Sequence, residues 1–242
     1  MRHPVLEVDH HVHSTFSDDA RSTLAENVAA AQVAGLREVR LVEHVRRSTD
    51  WVPEFVAAVA GLRPVEGLRI RTGVEAKIVD STGLLDVPEL PHGVETILIA
   101  DHQFPGTDGP WSPARTAARL ADGLPAADAL DLLVEAIVRA MRRYPGNQLA
   151  HCFSILPKIG LDESQLGPER LRVWAQAAAS SETTIEVNEK WGCPGPLALA
   201  AALEAGARLV GSTDSHHADE VGRYHRVVEL LRAIEPGGSA DE

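Results

Sequence analysis

Two histidines, His11 and His13, stand two positions apart at the end of a short hydrophobic run near the start of the chain. In an extended strand, residues two apart point to the same face, so both imidazoles project toward one point. Imidazole nitrogen is a common metal ligand, and the pair therefore indicates a metal site where the strand ends. Taken alone, such a pair is more often a pair of ordinary surface or packed histidines.

Polar residues recur in the same way after six further hydrophobic runs. Each cluster alone has a simpler explanation, such as a helix cap, a packed histidine or a solvated acid. Their recurrence at the same end of every run is harder to explain in this way. The clusters are Asp9, His11, His13 and Asp19; Glu43 and His44; Glu75; Asp101 and His102; His151; Glu186 and Asn188; and Asp214 and His216.

The elements that must position these residues alternate between strand-like and helix-like segments. The predicted strands are Val5–Asp9, Glu38–Glu43, Arg69–Glu75, Glu95–Ala100, Gln148–His151, Thr184–Asn188 and Arg208–Ser212. The predicted helices are Thr23–Ala34, Pro53–Gly61, a segment Pro113–Arg143 broken near Gly123, Glu169–Ser180, Pro196–Ala205 and Ala218–Ile234. This alternation predicts an α/β fold of parallel β/α units that close into a barrel. The carboxyl ends of the strands then meet at one rim, where barrel enzymes carry their active sites.

Composition limits the class of protein. The chain has 242 residues and a net charge of −12, which favours one domain over residues 1–235 and argues against a broad grip on nucleic acid. Residues 236–242 are rich in Gly, Ser and acid and are expected to form a flexible tail. The two cysteines, Cys152 and Cys193, form no disulfide framework. With no signal peptide or membrane-length apolar run in the sequence, we expect a cytoplasmic protein without membrane contact.

The candidate ligands share one chemistry, since they are six histidines and three carboxylates without a cysteine. Nitrogen and oxygen donors of this kind suit zinc, manganese or iron. Nine ligands exceed the needs of one ion, so two or three divalent ions are predicted, with Glu75 able to bridge neighbours. Ions about 3.5–4 Å apart can activate water and hold the oxygens of an in-line displacement. The nine are His11, His13, Asp19, His44, Glu75, His102, His151, Asp214 and His216.

At these residues the sequence resembles the PHP (polymerase and histidinol phosphatase) family. The first motif of the family, Asp-x-His-x-His-Ser/Thr, is similar to Asp9–Ser14, and an acid that follows it in histidinol-phosphatase-like members is similar to Asp19. Ala100-Asp101-His102 departs from the usual Gly-Ser-x-His, and Cys152 replaces a common proline after His151. The remaining resemblances are Val42-Glu43-His44, Gly73-Val74-Glu75, Leu149-Ala150-His151, Glu186-Val187-Asn188 and Gly211–His216.

The resemblance implies a distorted (β/α)7 barrel with a trinuclear metal site at the carboxyl-terminal rim of its strands. It implies three ligand groups. One ion would take His11, His13, Glu75 and Asp214; a second would share Glu75 and add His102 and His151; a third would take Asp19, His44 and His216.

The resulting hypothesis is a phosphatase that hydrolyses a small-molecule phosphate monoester, as histidinol phosphatases do, by attack of a metal-bound hydroxide. Asp19 and His216 are the candidates for the general acid. Phosphate also needs cationic partners. The loop candidates are Arg46, Lys77, Arg115, Lys158, Lys190 and Arg223. The long loop from Phe104 to Trp111 is a candidate lid over the rim.

Three other functions stay open at this stage. A nuclease-type phosphodiesterase would use similar metals, although the acidic charge and the lack of a basic stripe count against it. A metal-dependent amide hydrolase could use a similar ligand set. A non-catalytic binding module, like the PHP segments attached to polymerases, is disfavoured by the complete ligand set. The sequence leaves the oligomeric state undetermined.

Overall fold

The computed structural model describes residues 3–87 and 89–235. The strands are β1 Val8–Val12, β2 Glu38–His44, β3 Arg69–Lys77, β4 Ile97–Ala100, β5 Phe104–Gly106, β6 Gly109–Trp111, β7 Gln148–Leu149, β8 Thr184–Asn188 and β9 Leu209–Ser212. The helices are α1 Leu24–Val33, α2 Val52–Ala60, α3 Pro113–Ala121, α4 Ala126–Arg143, α5 Gly167–Ser180, α6 Pro196–Glu204 and α7 Arg226–Ile234.

Seven of these strands form one parallel sheet in the order β1-β2-β3-β4-β7-β8-β9. Its two outer strands meet, because the amide of His13 donates to the carbonyl of Ser215 at 2.9 Å and that of Ser215 to the carbonyl of His11 at 3.3 Å. The sheet is thereby nearly closed on itself. The predicted distorted (β/α)7 barrel is confirmed.

Alternation along each strand divides the core into two parts. Val39 and Leu41 pack outward with residues of α1 and α2. Val42 points the other way and joins Leu98, Ala100 and Ala150 in a small apolar cluster inside the barrel. A side chain at Gly73 would lie only 3.1 Å from Leu98 and Val42, which explains glycine in the middle of β3. The barrel is therefore filled at mid-height, and its polar residues lie toward its two ends.

Most predicted strands and helices agree with the structure to within two residues at each end, but two are wrong by more than that. Val5–Asp9 is not one strand: Pro4–Glu7 forms a 3₁₀ helix with Pro4 in its first turn and His3 as its cap, and the strand starts at Val8. Ala218–Ile234 is not one helix either. It forms a 3₁₀ turn over Ala218–Glu220 and then α7, because Gly222 adopts φ +68° and donates its amide to the Asp9 carboxylate at 2.9 Å.

The candidate lid forms the β5–β6 hairpin, and its two aromatic side chains, Phe104 and Trp111, are buried in the main core. Two buried aromatic anchors are typical of an ordered structural loop rather than of a mobile lid. In the described part of the chain, every helix is too short or too polar to span a bilayer. The predicted flexible tail, residues 236–242, lies outside the described residues.

Candidate metal centre

All nine predicted ligands lie at the carboxyl-terminal rim, grouped around Glu75. The barrel brings them there because each lies near the carboxyl-terminal end of a parallel strand or in the loop that follows it. Glu75 occupies the middle of the group, and its side chain is fully buried. Five histidines, from four different strand ends, approach its two carboxylate oxygens; they are His11, His13, His44, His102 and His151.

The first group joins the end of β1 to the segment after β9. The Nε2 atoms of His11 and His13 lie 3.0 Å apart. Glu75 Oε2 lies 3.4 Å from the first and 3.6 Å from the second. Asp214 Oδ1 lies 3.3 Å from His13 Nε2 and 3.9 Å from His11 Nε2. These four side chains offer two nitrogens and two oxygens to one point.

The second group uses the other oxygen of Glu75. The Nε2 atoms of His151 and His102 lie 2.8 and 2.9 Å from Glu75 Oε1. Since Oε2 faces the first group and Oε1 the second, Glu75 is placed to bridge two ions. His102 takes this position although its surrounding motif departs from the family pattern.

The third group lies nearer to solvent. Asp19 Oδ2 lies 3.2 Å from His216 Nε2 and 3.5 Å from His44 Nε2. His44 turns its other nitrogen, Nδ1, to Glu75 Oε2 at 2.9 Å. His13 also approaches His44 and His216, with ligand atoms within 4.8 Å of one another. The third group is thus in contact with the first through both Glu75 and His13.

Two observations show that the residues fit metal ions. Glu75 Oε2 is buried and makes no hydrogen bond to any described residue, although the oxygen is charged and faces three imidazoles. In addition, His11 Nδ1 faces the Glu186 carboxylate at 3.1 Å. A neutral His11 therefore donates from Nδ1 and presents the free lone pair of Nε2 to the group, as a metal ligand must.

Electrostatics favour the ligand form of His13 and Glu75 but the protonated form of other histidines in the group. Burial lowers the pKa of His13 to about 3, so this imidazole is neutral. Burial would raise the pKa of Glu75, but His102 and His11 hold it well below its usual range. Three histidines differ, because carboxylates outweigh burial. Glu186 and Glu75 hold the pKa of His11 well above its usual range, Glu75 raises the pKa of His44, and Asp101 and Glu75 raise the pKa of His151 to about 10. A cation bound there would have to displace a proton from His151.

Buried residues behind the predicted ligands hold them in place, and several of these residues, such as Ser14, Ser17 and Ser154, had no predicted role. Glu43 accepts hydrogen bonds from the hydroxyls of Ser14 at 2.5 Å and Ser17 at 2.6 Å, and Ser17 Oγ lies 3.4 Å from His13 Nδ1. Ser154 Oγ donates to Asp101 at 3.0 Å and lies 3.2 Å from His151 Nδ1. For Glu43 and Asp101, the available signal was a polar residue at or just after the carboxyl-terminal end of a strand.

Asp9 and Glu186 show the same arrangement on the far side of the centre. Asp9 accepts hydrogen bonds from the amide and hydroxyl of Thr213 at 2.9 and 2.6 Å, which ties β1 to β9. Glu186 accepts from Asn188 Nδ2 at 2.6 Å and from Gln148 Nε2 at 2.8 Å while it faces His11. These carboxylates lie one layer behind the nine and face protein donors.

A cavity of about 440 Å³ opens onto the metal centre. Three of the six candidate phosphate partners line it, namely Arg46, Lys77 and Lys190. Lys190 Nζ lies 3.1 Å from His216 Nδ1 and 3.5 Å from Asp214 Oδ2. Trp191 donates its indole N–H to Asp214 Oδ2 at 2.9 Å. This places both a cation and an aromatic wall directly beside the ligands.

The other three candidate cations do not line this cavity. Lys158 stacks its ammonium 3.7 Å from the Trp191 ring centroid and reaches the rim only through that ring. Arg115 is exposed and pairs with Asp108 at 2.7 Å. Arg223 is also exposed, next to the break before α7. Periodicity does not report where loop side chains point, so sequence reasoning could not separate these two sets.

Sequence comparison finds relatives that match almost the whole chain. A probable phosphatase of Caldanaerobacter subterraneus subsp. tengcongensis is 24% identical over 231 residues, covering 95% of this chain and 84% of that protein. A probable phosphatase of Pectobacterium carotovorum subsp. carotovorum is 28% identical over 243 residues, covering 94% of this chain and 85% of that protein.

Among solved structures, the histidinol phosphate phosphatase of Lactococcus lactis subsp. lactis, complexed with zinc, L-histidinol and phosphate, superimposes with a TM-score of 0.63. The alignment covers 94% of this chain and 92% of that one at 17% sequence identity, and it shows a shared fold. The family described as PHP domain matches residues 9–190, a span that carries seven of the nine predicted ligands. The chain therefore belongs to the PHP domain family.

Proposed function

We propose that this PHP-domain protein is a metal-dependent phosphatase that hydrolyses a small-molecule phosphate monoester, in the manner of histidinol phosphatases. The observation that carries the proposal is the set of nine nitrogen and oxygen donors around Glu75, which lies at the edge of a cavity of small-molecule size. The phosphatase relatives support the enzyme class. We propose two or three divalent ions, zinc, manganese or iron, held by the three groups described above.

When bound, such ions would polarise phosphate oxygens and lower the pKa of a coordinated water. The chain's own side chains would do the rest. Lys190, fixed beside Asp214 and His216, would bind a phosphate oxygen through a charge-assisted hydrogen bond. Arg46 and Lys77 line the outer cavity and would hold the remaining negative charge of the substrate.

Proton transfer to the leaving group would use Asp19 and His216. Their facing atoms, Oδ2 and Nε2, lie 3.2 Å apart on the cavity wall. The Asp19 side chain is 53% exposed, so it can exchange protons with solvent, whereas Glu75 and Asp214 are buried. When two ions are bound and the third group holds no metal, a proton held between Asp19 and His216 would be available to a departing alkoxide in the cavity.

The same observations rank the alternatives. A nucleic-acid phosphodiesterase would need an extended basic surface around the rim, but Asp18 and Asp86 line the cavity together with the three cations. A purely structural module would have no use for Lys190 at 41% exposure beside two ligands. An amide hydrolase lacks a specific observation in its favour.

Phosphate release by the purified, metal-reconstituted protein tests the proposal. We expect release from one or more small phosphate monoesters, in a panel that includes L-histidinol phosphate and phosphodiesters, and complete loss after chelation. The His11→Ala variant should be inactive, because it removes a buried ligand of the first group. His92→Ala is the matched control, since His92 is exposed and lies outside the centre. Activity on diesters or amides alone, or none in a metal-loaded protein, would reject the proposal.

Replacement of Lys190 by glutamine tests the substrate-binding role. We expect kcat/KM for a phosphate monoester to fall about 10- to 100-fold, the loss associated with one charge-assisted hydrogen bond. Bound metal should stay at the wild-type level, because Lys190 is not a ligand. Arg223→Gln, an exposed cation away from the cavity, should behave like wild type. An unchanged kcat/KM in Lys190→Gln would show that phosphate is bound elsewhere.

A further inference from the structure

A second cavity, of about 770 Å³, lies at the opposite end of the barrel from the metal centre. Residues at the amino-terminal ends of the strands form its wall, among them Val8 of β1, Glu38 of β2 and Thr184 of β8. Its charged lining is predominantly basic. The charged and titratable members are Arg37, Arg40, Arg69, Arg71, Arg208, His10, Glu38 and Glu95.

Most of these arginines have a carboxylate partner, but the charges do not balance. Arg71 contacts Glu38 at 3.1 Å and Glu95 at 2.6 Å, and Arg69 contacts Glu38 at 3.5 Å. Arg37 pairs with Glu7 at 3.1 Å, outside the cavity wall. The five arginines of the lining are thus matched by only three glutamates, Glu7, Glu38 and Glu95. The cavity keeps an excess of positive charge.

Among the five arginines of the lining, Arg40 and Arg208 have no carboxylate partner in the described residues, and Arg40 is the buried one of the two, since Arg208 is exposed. The Arg40 side chain points into the barrel from β2, and the residue is only 7% exposed. Within the described residues, no Asp or Glu oxygen lies within 4.0 Å of it, and its Nε makes no hydrogen bond. Its NH1 donates to Gln148 Oε1 at 2.5 Å and lies 3.3 Å from His10 Nδ1. Burial lowers the pKa of Arg40 to about 10, so the guanidinium still carries its charge at neutral pH.

A buried, unpaired guanidinium is energetically costly and is usually satisfied by an anion. Its planar donors match the oxygens of phosphate and can bind them in pairs. We propose that the cavity at the amino-terminal end of the barrel is a binding site for a small phosphate-bearing anion, held by Arg40 and Arg71. The volume suffices for inorganic phosphate or for an organic phosphate up to nucleotide size. This site is separate from the metal centre and does not depend on the proposed phosphatase activity.

The anion site is linked to the metal centre through the barrel interior. Gln148 accepts from Arg40, and its amide nitrogen donates to Glu186 Oε2 at 2.8 Å. Glu186 in turn faces His11 Nδ1 at 3.1 Å. A change in the position of Arg40 on binding an anion would therefore reach a metal ligand through two side chains.

Equilibrium dialysis of the metal-loaded full chain with radiolabelled inorganic phosphate tests the proposal. We expect two phosphates per wild-type chain if the metal centre also binds phosphate. Arg40→Met and Arg71→Gln should each lose the cavity equivalent, with at least a tenfold weaker Kd, while Lys190→Gln should retain it. Should the metal centre bind no phosphate, the wild type would bind one equivalent, which both cavity variants would lose. The two proposals can therefore fail separately.

The design includes controls for folding and for ligand class. Arg172→Gln changes an exposed arginine on α5 and should bind like wild type. If Arg40→Met does not fold, the half-exposed Arg71 decides the outcome. In Lys190→Gln, displacement of the labelled phosphate by α,β-methylene ADP would show that the cavity accepts an organic phosphate. Displacement by unlabelled phosphate but not by α,β-methylene ADP would show that the ligand is the free phosphate ion. Wild-type binding in both cavity variants, or stronger displacement by citrate than by either phosphate compound, would overturn the proposal.

Discussion

Glu75→Gln is expected to lower the rate of phosphate release by about a thousandfold or more, because the metals of such centres supply several kcal/mol of transition-state stabilisation. Glu75 is the one carboxylate in contact with all three ligand groups, through Oε1 to His102 and His151 and through Oε2 to His11, His13 and His44. Glutamine keeps the shape but loses the charge and one of the two ligand oxygens. It cannot bridge two ions.

The measurement is kcat together with the number of metal ions per chain by elemental analysis. We expect the variant to lose at least one ion. Glu135→Gln, which changes an exposed glutamate paired with Arg139 on α4, is the matched control and should be fully active. A Glu75→Gln protein with a full metal complement and near wild-type kcat would contradict the bridging role.

The Glu186→Gln variant should bind metal about 10- to 100-fold more weakly, the usual effect of losing the partner of a ligating histidine. Glu186 is buried and faces His11 Nδ1, and so it fixes which nitrogen of His11 is free to bind metal. A glutamine amide could instead donate to Nδ1 and hold His11 in the wrong tautomer. The affinity is measured by competition with a chelator of known strength.

Glu163→Gln provides the comparison for this variant. Glu163 is a partly buried glutamate that, like Glu186, accepts hydrogen bonds; its donor is the Gly195 amide at 2.7 Å. It contacts none of the nine predicted ligands. Its metal affinity should equal that of wild type. Equal affinity in Glu186→Gln would mean that the orientation of His11 is set by its packing alone.

The barrel and its ligand rim could be predicted because both follow from local pattern. Each predicted strand is a short hydrophobic run, and the residue types that bind metals stand at its end or just beyond it, as His44 does at the end of β2 and His151 after β7. Parallel β/α units then bring all strand ends together whatever the order of neighbours. This is why all nine candidates lie together in the structure.

The remaining features depend on contacts between distant parts of the chain. The predicted helix Ala218–Ile234 is interrupted at Gly222, whose amide donates a hydrogen bond to Asp9, 213 positions earlier in the chain. The sequence shows Arg40 only as a charged residue between Val39 and Leu41, and its role depends on Gln148, which is 108 positions later in the chain and accepts a hydrogen bond from it. Lys190 lines the cavity at the metal centre and Arg115 does not. This difference depends on loop conformation, which leaves no periodic pattern in the sequence.

The distribution of ligands along the chain also sets the order in which the centre can be assembled during synthesis. Glu75, His102 and His151 have all been made once residue 151 is added, but the other two groups need Asp214 and His216. The backbone bonds that join the two ends of the sheet run from His11 and His13 to Ser215, between these same late ligands. On the ribosome, the barrel therefore cannot close, and the proposed ligand groups cannot all be complete, until residues 214–216 have been made.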